Sequence, residues 1–466
     1  MPLHRGDLGH VRRSLQDASN AFLTAANPVL GNVVAPDTKI GDGVLPADVA
    51  YQLVHDELLL DGNARLNLAT FVTTWMEPQA ERLIAECMQK NMIDKDEYPQ
   101  TAELERRCVV LLAHLWNAHE PAGTIGCSTT GSSEACMLGG LALKRRWAAR
   151  SGRDAGRPNL VMGINVQVCW EKFCNYWDVE PRLVPMEGDR FTLSPETAVA
   201  RCDENTIGVV AVLGSTFDGS YEPVAGIAAA LDDLQARTGI DVPIHVDGAS
   251  GAMIAPFLDP ELIWDFRLPR VASINTSGHK YGLVYPGVGW VVWRDQDALP
   301  ADLVFKVNYL GGEMPTFALN FSRPGAQVAA QYYVFTRLGR EGFRLVQQAS
   351  RDVAMELATD LERLGPFRLL TRGGELPVFA LTTRPEVRGF DVFDVSRRLR
   401  ERGWQVPAYT FPENRTDLSV LRVVCRNGFS RDLAGLLVED LERVLPDLER
   451  QDGPQQRPPG VTAFHH

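Results

Sequence analysis

From about residue 62 onward, stretches of helical periodicity alternate with short, nearly continuous apolar runs. That alternation constrains the fold more than any other feature of the chain. Helical spacing covers 101–118 and 133–150 and is followed by an apolar run at 159–162; similar runs stand at 207–213, 242–246 and 288–293. Strands this apolar are buried on both faces, which requires helices above and below them. The expected class is therefore α/β with a large, mainly parallel mixed sheet. After about residue 350 the order changes to a helix, a strand at 377–382, a helix over 392–403, a strand at 419–425 and a helix over 431–445, which reads as a smaller α+β domain. Residues 1–61 carry Pro28, Pro36, Pro46 and a Gly-Asp-Gly turn at 41–43. They are poor in regular pattern and read as an arm that lies on a partner or on the parent domain. The division expected is an arm over 1–61, a large domain over 62–350, a small domain over 351–450 and a flexible tail over 451–466, whose Pro-rich composition suits neither helix nor sheet.

Composition removes several classes of function. A formal charge of −12, with no basic stripe interleaved with aromatics, excludes nucleic acid as a partner. The eight cysteines (87, 108, 127, 136, 169, 174, 202 and 425) form no C-x-x-C pair, and no histidine stands at zinc-ligand spacing, so no metal site is expected and the thiols are read as reduced. No apolar run approaches the roughly 18 residues of a membrane span. The first residues, MPLHRGDLGHVRRSLQ, lack the apolar core of a secretory signal, and the expected location is cytoplasmic.

Three short motifs carry chemistry. Ser277-Gly278-His279-Lys280-Tyr281-Gly282 places a lysine in a small-residue loop after the β-like run 271–275, either as a held nucleophile or as an ordinary surface lysine. Asp247 directly follows the run 242–246, at the carboxyl end of a parallel strand, where ligands bind in open α/β sheets. It reads as the partner of a pyridinium nitrogen or, equally, as a turn or cap residue. Thr129-Thr130-Gly131-Ser132-Ser133-Glu134 opens the helical stretch 135–150. There, backbone N–H groups and hydroxyls form an anion site, although a Ser-rich cap followed by Glu is also an ordinary helix start. Together they supply a covalent lysine, a ring-nitrogen counterion and a phosphate cradle.

With these motifs in place, the chain resembles the group II pyridoxal-dependent decarboxylases. The stretches that carry the likeness are Leu66-Asn-Leu-Ala-Thr-Phe71, Asn91-Met-Ile-Asp94, Gly131-Ser-Ser-Glu-Ala-Cys-Met137, His245-Val-Asp-Gly-Ala-Ser-Gly251, Trp264-Asp-Phe-Arg-Leu-Pro-Arg270, Ser277 to Gly282, and Asn320-Phe-Ser-Arg-Pro324. The resemblance implies pyridoxal 5'-phosphate as cofactor and the aspartate-aminotransferase-like type I fold. It also implies a homodimer at minimum, with a hexamer as the larger alternative, and α-decarboxylation of an acidic amino acid, L-glutamate first. Another acidic or an aromatic amino acid is the alternative substrate. Residue by residue it makes Lys280 the Schiff-base lysine with His279 beside it, Asp247 the ring-nitrogen partner, and Ser132, Ser133, Ser277 and, across the subunit interface, Ser322 the phosphate ligands. Gln167 and Ala249 would press on the two faces of the ring, and Thr216 would lie near its hydroxyl.

For the substrate, the matching positions are Thr70, Phe71, Asn91 and Asp94, with Arg422 as a carboxylate clamp suited by its planar fork. A structural ion pair is the competing reading of Arg422. The loop 305–314, with glycines at 311 and 312, looks like the family's mobile catalytic loop, and Tyr309 in it is the expected proton donor to the substrate carbon. His465 matches a C-terminal histidine that plugs the site near neutral pH in acid-induced bacterial members. Two disordered terminal histidines are the other reading. Plant relatives end in a basic calmodulin-binding helix, and nothing here resembles one.

Overall fold

Seven strands form the sheet that the apolar runs call for. In the computed structural model, which describes residues 38–40, 44–151, 157–307, 314–451 and 453–455, these are β1 (Ile125–Thr129), β2 (Asn159–Gly163), β3 (Glu180–Val184), β4 (Thr206–Val212), β5 (Ile244–Asp247), β6 (Val271–Ser277) and β7 (Gly289–Trp293). They lie in the order β1-β7-β6-β5-β4-β2-β3. Pairing is parallel from β3 through β2, β4 and β5 to β6, and β7 runs antiparallel to both β6 and β1. Strands β2, β4, β5, β6 and β7 are buried at every position, which is why they read as continuous rather than alternating apolar runs. Because β1 and β6 both run against β7, the carboxyl ends of β1, β2, β4, β5 and β6 share one edge. Thr129, Gly163, Val212, Asp247 and Ser277 end their strands there.

A helix over Ala326–Arg363 leads from this sheet to the second one, spanning the division expected near residue 350. It changes direction at Gly339, whose φ of 57° and ψ of −171° break the helical run. The smaller sheet holds β10 (Phe367–Leu369), β11 (Val378–Thr383), β12 (Ala408–Thr410) and β13 (Ser419–Val424) in the order β10-β11-β13-β12, all antiparallel. Its apolar face packs with helices Val392–Glu401 and Arg431–Glu449 in a core of its own around Phe367, Phe379, Leu399 and Leu441. Arg422 stands on β13, in register with Ala380 of β11.

The chain divides into two units, 1–64 and 65–466. In the first, the sequence reading needs a correction: residues expected to lack regular pattern form a helix, Ala47–Leu58. No proline or glycine interrupts the sequence between Pro46, at the N-cap position, and Gly62, so a helix can propagate there. Tyr51, Val54 and Leu58 on this helix are exposed. A two-stranded ribbon of β8 (Phe305–Val307) and β9 (Met314–Thr316) flanks the expected catalytic loop. Tyr309 and His465 lie outside the described residues. Among the described residues no helix is long and apolar enough to cross a membrane.

Candidate active site

The shared edge of the large sheet gathers the three motifs. Asp247, 4% exposed at the end of β5, accepts four hydrogen bonds there. Its Oδ2 accepts from Trp170 Nε1 at 2.8 Å and from the Cys136 thiol at 3.6 Å; its Oδ1 accepts from Asn275 Nδ2 at 3.1 Å and from the Ala249 amide at 3.2 Å. Asn275 also donates to Ser132 Oγ at 2.5 Å, so its amide group faces both acceptors and its carbonyl oxygen must face the other way. That oxygen lies 2.8 Å from His245 Nε2, while His245 Nδ1 lies 2.7 Å from Ser273 Oγ. The network therefore sets the imidazole as Nε2–H donor and Nδ1 acceptor, and burial pushes its pKa down to about 4, which keeps it neutral.

Lys280 follows β6 in a loop pinned from outside: Thr73 donates its N–H to the carbonyl of His279 and its hydroxyl to that of Lys280, each at 2.7 Å. The amine reaches Ser250 Oγ at 3.4 Å and sits 5.2 Å from the centre of the Phe71 ring. Burial lowers its pKa, against the opposing pull of the Asp247 charge, which favours the uncharged nucleophile. The lysine is thus held within reach of Asp247's field.

On the other side of the lysine loop the polar groups lack partners. Ser277 Oγ and His279 Nδ1 are buried without a hydrogen-bond partner among the described residues. His279 sits against Gly131, where a Cβ would meet its Cε1 at 3.2 Å, so the small residue brings the imidazole to the loop that precedes the helix Ser132–Ser151. Burial and the Lys280 charge hold the His279 pKa down to about 4. Ser132 and Ser133 open that helix, whose first N–H groups have no partner within it.

Arg422 is 6% exposed and braced by carbonyls: Nη1 donates to Thr216 O and Nη2 to Ala69 O, each at 2.6 Å. Its Nε has no partner, and no carboxylate pairs with it among the described residues, so the ion-pair reading does not describe its surroundings. Its guanidinium carbon lies 4.9 Å from the centre of the Phe71 ring, the same ring that Lys280 touches. Thr70, next to Phe71, accepts from the Val72 amide at 3.0 Å.

Two other groups behave differently. Gln167 caps the helix Val168–Tyr176, its side-chain oxygen accepting from the Val168 amide at 2.7 Å, on the loop that leaves β2. Asn91 donates to Ser322 Oγ at 3.3 Å and accepts from the Arg323 amide at 3.0 Å, with Asp94 half-buried beside it. No hydrogen bond, ion pair or ring contact joins Asn91, Asp94 or Ser322 to Lys280, Asp247 or Arg422 among the described residues. The stretch 320–324 meets the helix-opening motif instead, where Asn320 donates its amide to Glu134 Oε1 at 3.1 Å and its Nδ2 to Glu134 Oε2 at 3.2 Å.

Sequence reading missed the second layer. Trp170, Asn275, Cys136 and Ser250 hold the chemical groups, and nothing in their spacing marks them, since they meet only through strand order, helix packing and the turn after β5. Likewise, the donor atoms of Cys136, Cys169 and Asp247 lie within 4.8 Å of one another although the two cysteines stand far apart in the chain.

Residues 44–381 match the pyridoxal-dependent decarboxylase conserved domain. The chain belongs to the pyridoxal-dependent decarboxylase family. It is 58% identical over 398 residues to a glutamate decarboxylase of Aliivibrio fischeri, covering 84% of this chain and 86% of that protein. It is 50% identical over 419 residues to a glutamate decarboxylase of Petunia hybrida, with coverages of 89% and 84%. The solved glutamate decarboxylase of Lactobacillus brevis superposes with a TM-score of 0.87 at 47% identity, covering 92% of this chain and 98% of that one.

The residues present fit the family's cofactor. A phosphate has buried, unpartnered groups at Ser277 and His279 beside a helix N-terminus. The ring nitrogen has Asp247, and the aldehyde has an amine whose pKa burial lowers.

Proposed function

We propose that the chain removes the α-carboxyl group of L-glutamate as carbon dioxide and releases 4-aminobutanoate, with one proton consumed per turnover. The observation that carries the choice of an acidic substrate is Arg422: a buried guanidinium with no acidic partner, sharing the Phe71 ring with Lys280. A buried cation of this kind favours a ligand carboxylate strongly, because only the ligand supplies the missing charge. The names of the relatives at 46–58% identity support the same choice.

When bound, the cofactor supplies the aldehyde that takes the amino group and the ring that receives the electron pair released with the carboxyl carbon. Lys280 would provide the amine that holds the aldehyde between turnovers, with burial lowering its pKa toward the uncharged nucleophile. Asp247, fixed by four donors, keeps a proton on the ring nitrogen. Ser132, Ser133, Ser277 and His279 would hold the phosphate, and Gln167, Ala249 and Thr216 would hold the ring. Phe71 and Thr70 exclude water beside the substrate, Arg422 orients its side-chain carboxylate, and Tyr309 returns a proton to Cα.

Asn91, Asp94 and Ser322 serve the site of a second copy, so the working unit is a homodimer at minimum. Among the described residues none of the three bonds to Lys280, Asp247 or Arg422, and Ser322 is exposed, which supports this. The test is carbon dioxide release from a panel of amino acids. Glutamate should exceed aromatic acids by at least about 100-fold, since they leave Arg422 unpaired. Faster turnover of an aromatic acid would overturn the proposal.

A further inference from the structure

Glu222 stands outside every motif read from the sequence, and it is 2% exposed. Its Oε1 accepts from Asn165 Nδ2 at 3.0 Å and from the Leu193 amide at 2.8 Å, and its Oε2 accepts from the Val212 amide at 2.6 Å. Its own amide donates to the Val212 carbonyl at 3.0 Å. No lysine or arginine pairs with it among the described residues. Three N–H donors alone hold a buried carboxyl, which burial pushes up to about 7 with the Asp247 charge adding to the effect.

The donors come from three segments: Asn165 from the one that follows β2, Leu193 from the one that follows β3, and Val212 from the end of β4. Asn165 lies two residues before Gln167, on the loop after β2. Here Gly163 is required by close approach: a Cβ at that position would meet Asn165 Oδ1 at 2.1 Å and Glu222 Oε1 at 3.1 Å. Val212 ends β4, and the two bonds between Val212 and Glu222, one to the carboxylate and one between the backbones, close the loop 213–221. Inside that loop Ser215 and Ser220 bond at 2.8 Å, and the carbonyl of Thr216 braces Arg422. The carboxylate therefore ties the loop that carries Gln167 to the loop that supports the guanidinium.

We propose that Glu222 is a positioning residue, one buried side chain whose accepted hydrogen bonds from Asn165 and Val212 hold the ring-flanking loop at Gln167 and the Arg422-supporting loop at Thr216 in register with each other. The assignment rests on the proposed function, in which Gln167 flanks the cofactor and Arg422 binds the substrate. The chemistry demands a carboxylate: it offers acceptors on both oxygens and no donor. A glutamine of the same length turns an NH2 group toward either the Val212 amide or the Asn165 and Leu193 donors, and at least one loop loses its tie.

The test uses full-length protein carrying Glu222→Gln, Asn165→Ala and Arg422→Lys, with cofactor affinity, KM and kcat for glutamate and thermal stability measured for each. Glu222→Gln should weaken cofactor affinity and raise KM by about 10-fold each, with a smaller change in kcat. Asn165→Ala, which cuts one tie and leaves the carboxylate in place, should weaken cofactor affinity by about 3-fold, and it decides the matter if Glu222→Gln does not fold. Lower thermal stability with cofactor affinity and KM unchanged in both variants would reduce Glu222 to a structural role and overturn the proposal. Arg422→Lys separates the two readings. If it raises KM while Glu222→Gln does not, Glu222 fails; if it leaves KM unchanged, the substrate reading fails and cofactor affinity alone judges Glu222.

Discussion

The two ends of the lysine site are built in opposite ways. At the Asp247 end every polar atom is engaged by the protein itself, through Trp170, Asn275, Cys136, Ala249 and the neutral His245 behind them. At the Ser277 end, a hydroxyl and an imidazole nitrogen are buried with no partner among the described residues. An unsatisfied buried polar group costs about 1–3 kcal/mol, so the second end is stabilised only when a ligand supplies the missing acceptor or donor. The first end is preorganised for charge and the second for capture.

The largest expected effect comes from the preorganised end. Asp247→Asn turns an NH2 group toward either Trp170 and Cys136 or Asn275 and the Ala249 amide, all of them donors, and should lower kcat on the order of 10²–10³-fold while also destabilising the cofactor-free protein. Steady-state rates and thermal melts check both. Trp170→Phe removes one donor from the same carboxylate and should cost about 10-fold in kcat with cofactor affinity little changed. A loss of affinity equal to the loss of rate would erase the distinction between the two ends.

Ser277→Ala probes the capture end. It should weaken cofactor affinity by about 10-fold, yet leave the melting temperature of the cofactor-free protein unchanged or slightly higher, because the orphan hydroxyl is gone. A marked loss of stability without cofactor would show that Ser277 is satisfied by the protein after all.

The smallest effects are pH-dependent. Burial holds His245 at about 4, below its ordinary 6.5, so the unfolded chain takes the proton first as acid is added. Its contribution to stability is complete above 6.5 and is lost as pH falls toward about 4. Glu222 runs the other way: with its carboxyl raised from 4.5 to about 7, its contribution is present below 4.5 and is lost as pH rises toward about 7. Chemical denaturation across this range should show His245→Gln flattening the acid limb and Glu222→Gln flattening the limb between 4.5 and about 7.

Much of the capture end was legible in the sequence, because its residues are contiguous: Gly131 to Ser133 open a helix and Ser277 to Lys280 follow a strand. Asp247 was legible for the same reason, at the end of an apolar run. The groups that hold it were not, since Trp170, Asn275 and Cys136 lie on three separate elements and meet only through strand order and helix packing. Strand β1 escaped notice because Ile-Gly-Cys-Ser-Thr is short and half polar, and β12 because three residues carry too little pattern. The helix over Ala47–Leu58 was hidden by the prolines before it. Arg422 was legible as a candidate, but its braced and unpaired state depends on carbonyls at 69 and 216, which no spacing reveals.

The central claim is that the Lys280 amine holds the cofactor covalently. Borohydride reduction of the purified protein, followed by proteolysis and mass spectrometry, reads this directly. The expected result is a single pyridoxyl adduct on the peptide containing Lys280, absent from Lys280→Ala. An adduct on another lysine, or none in protein that still releases carbon dioxide from glutamate, would contradict it.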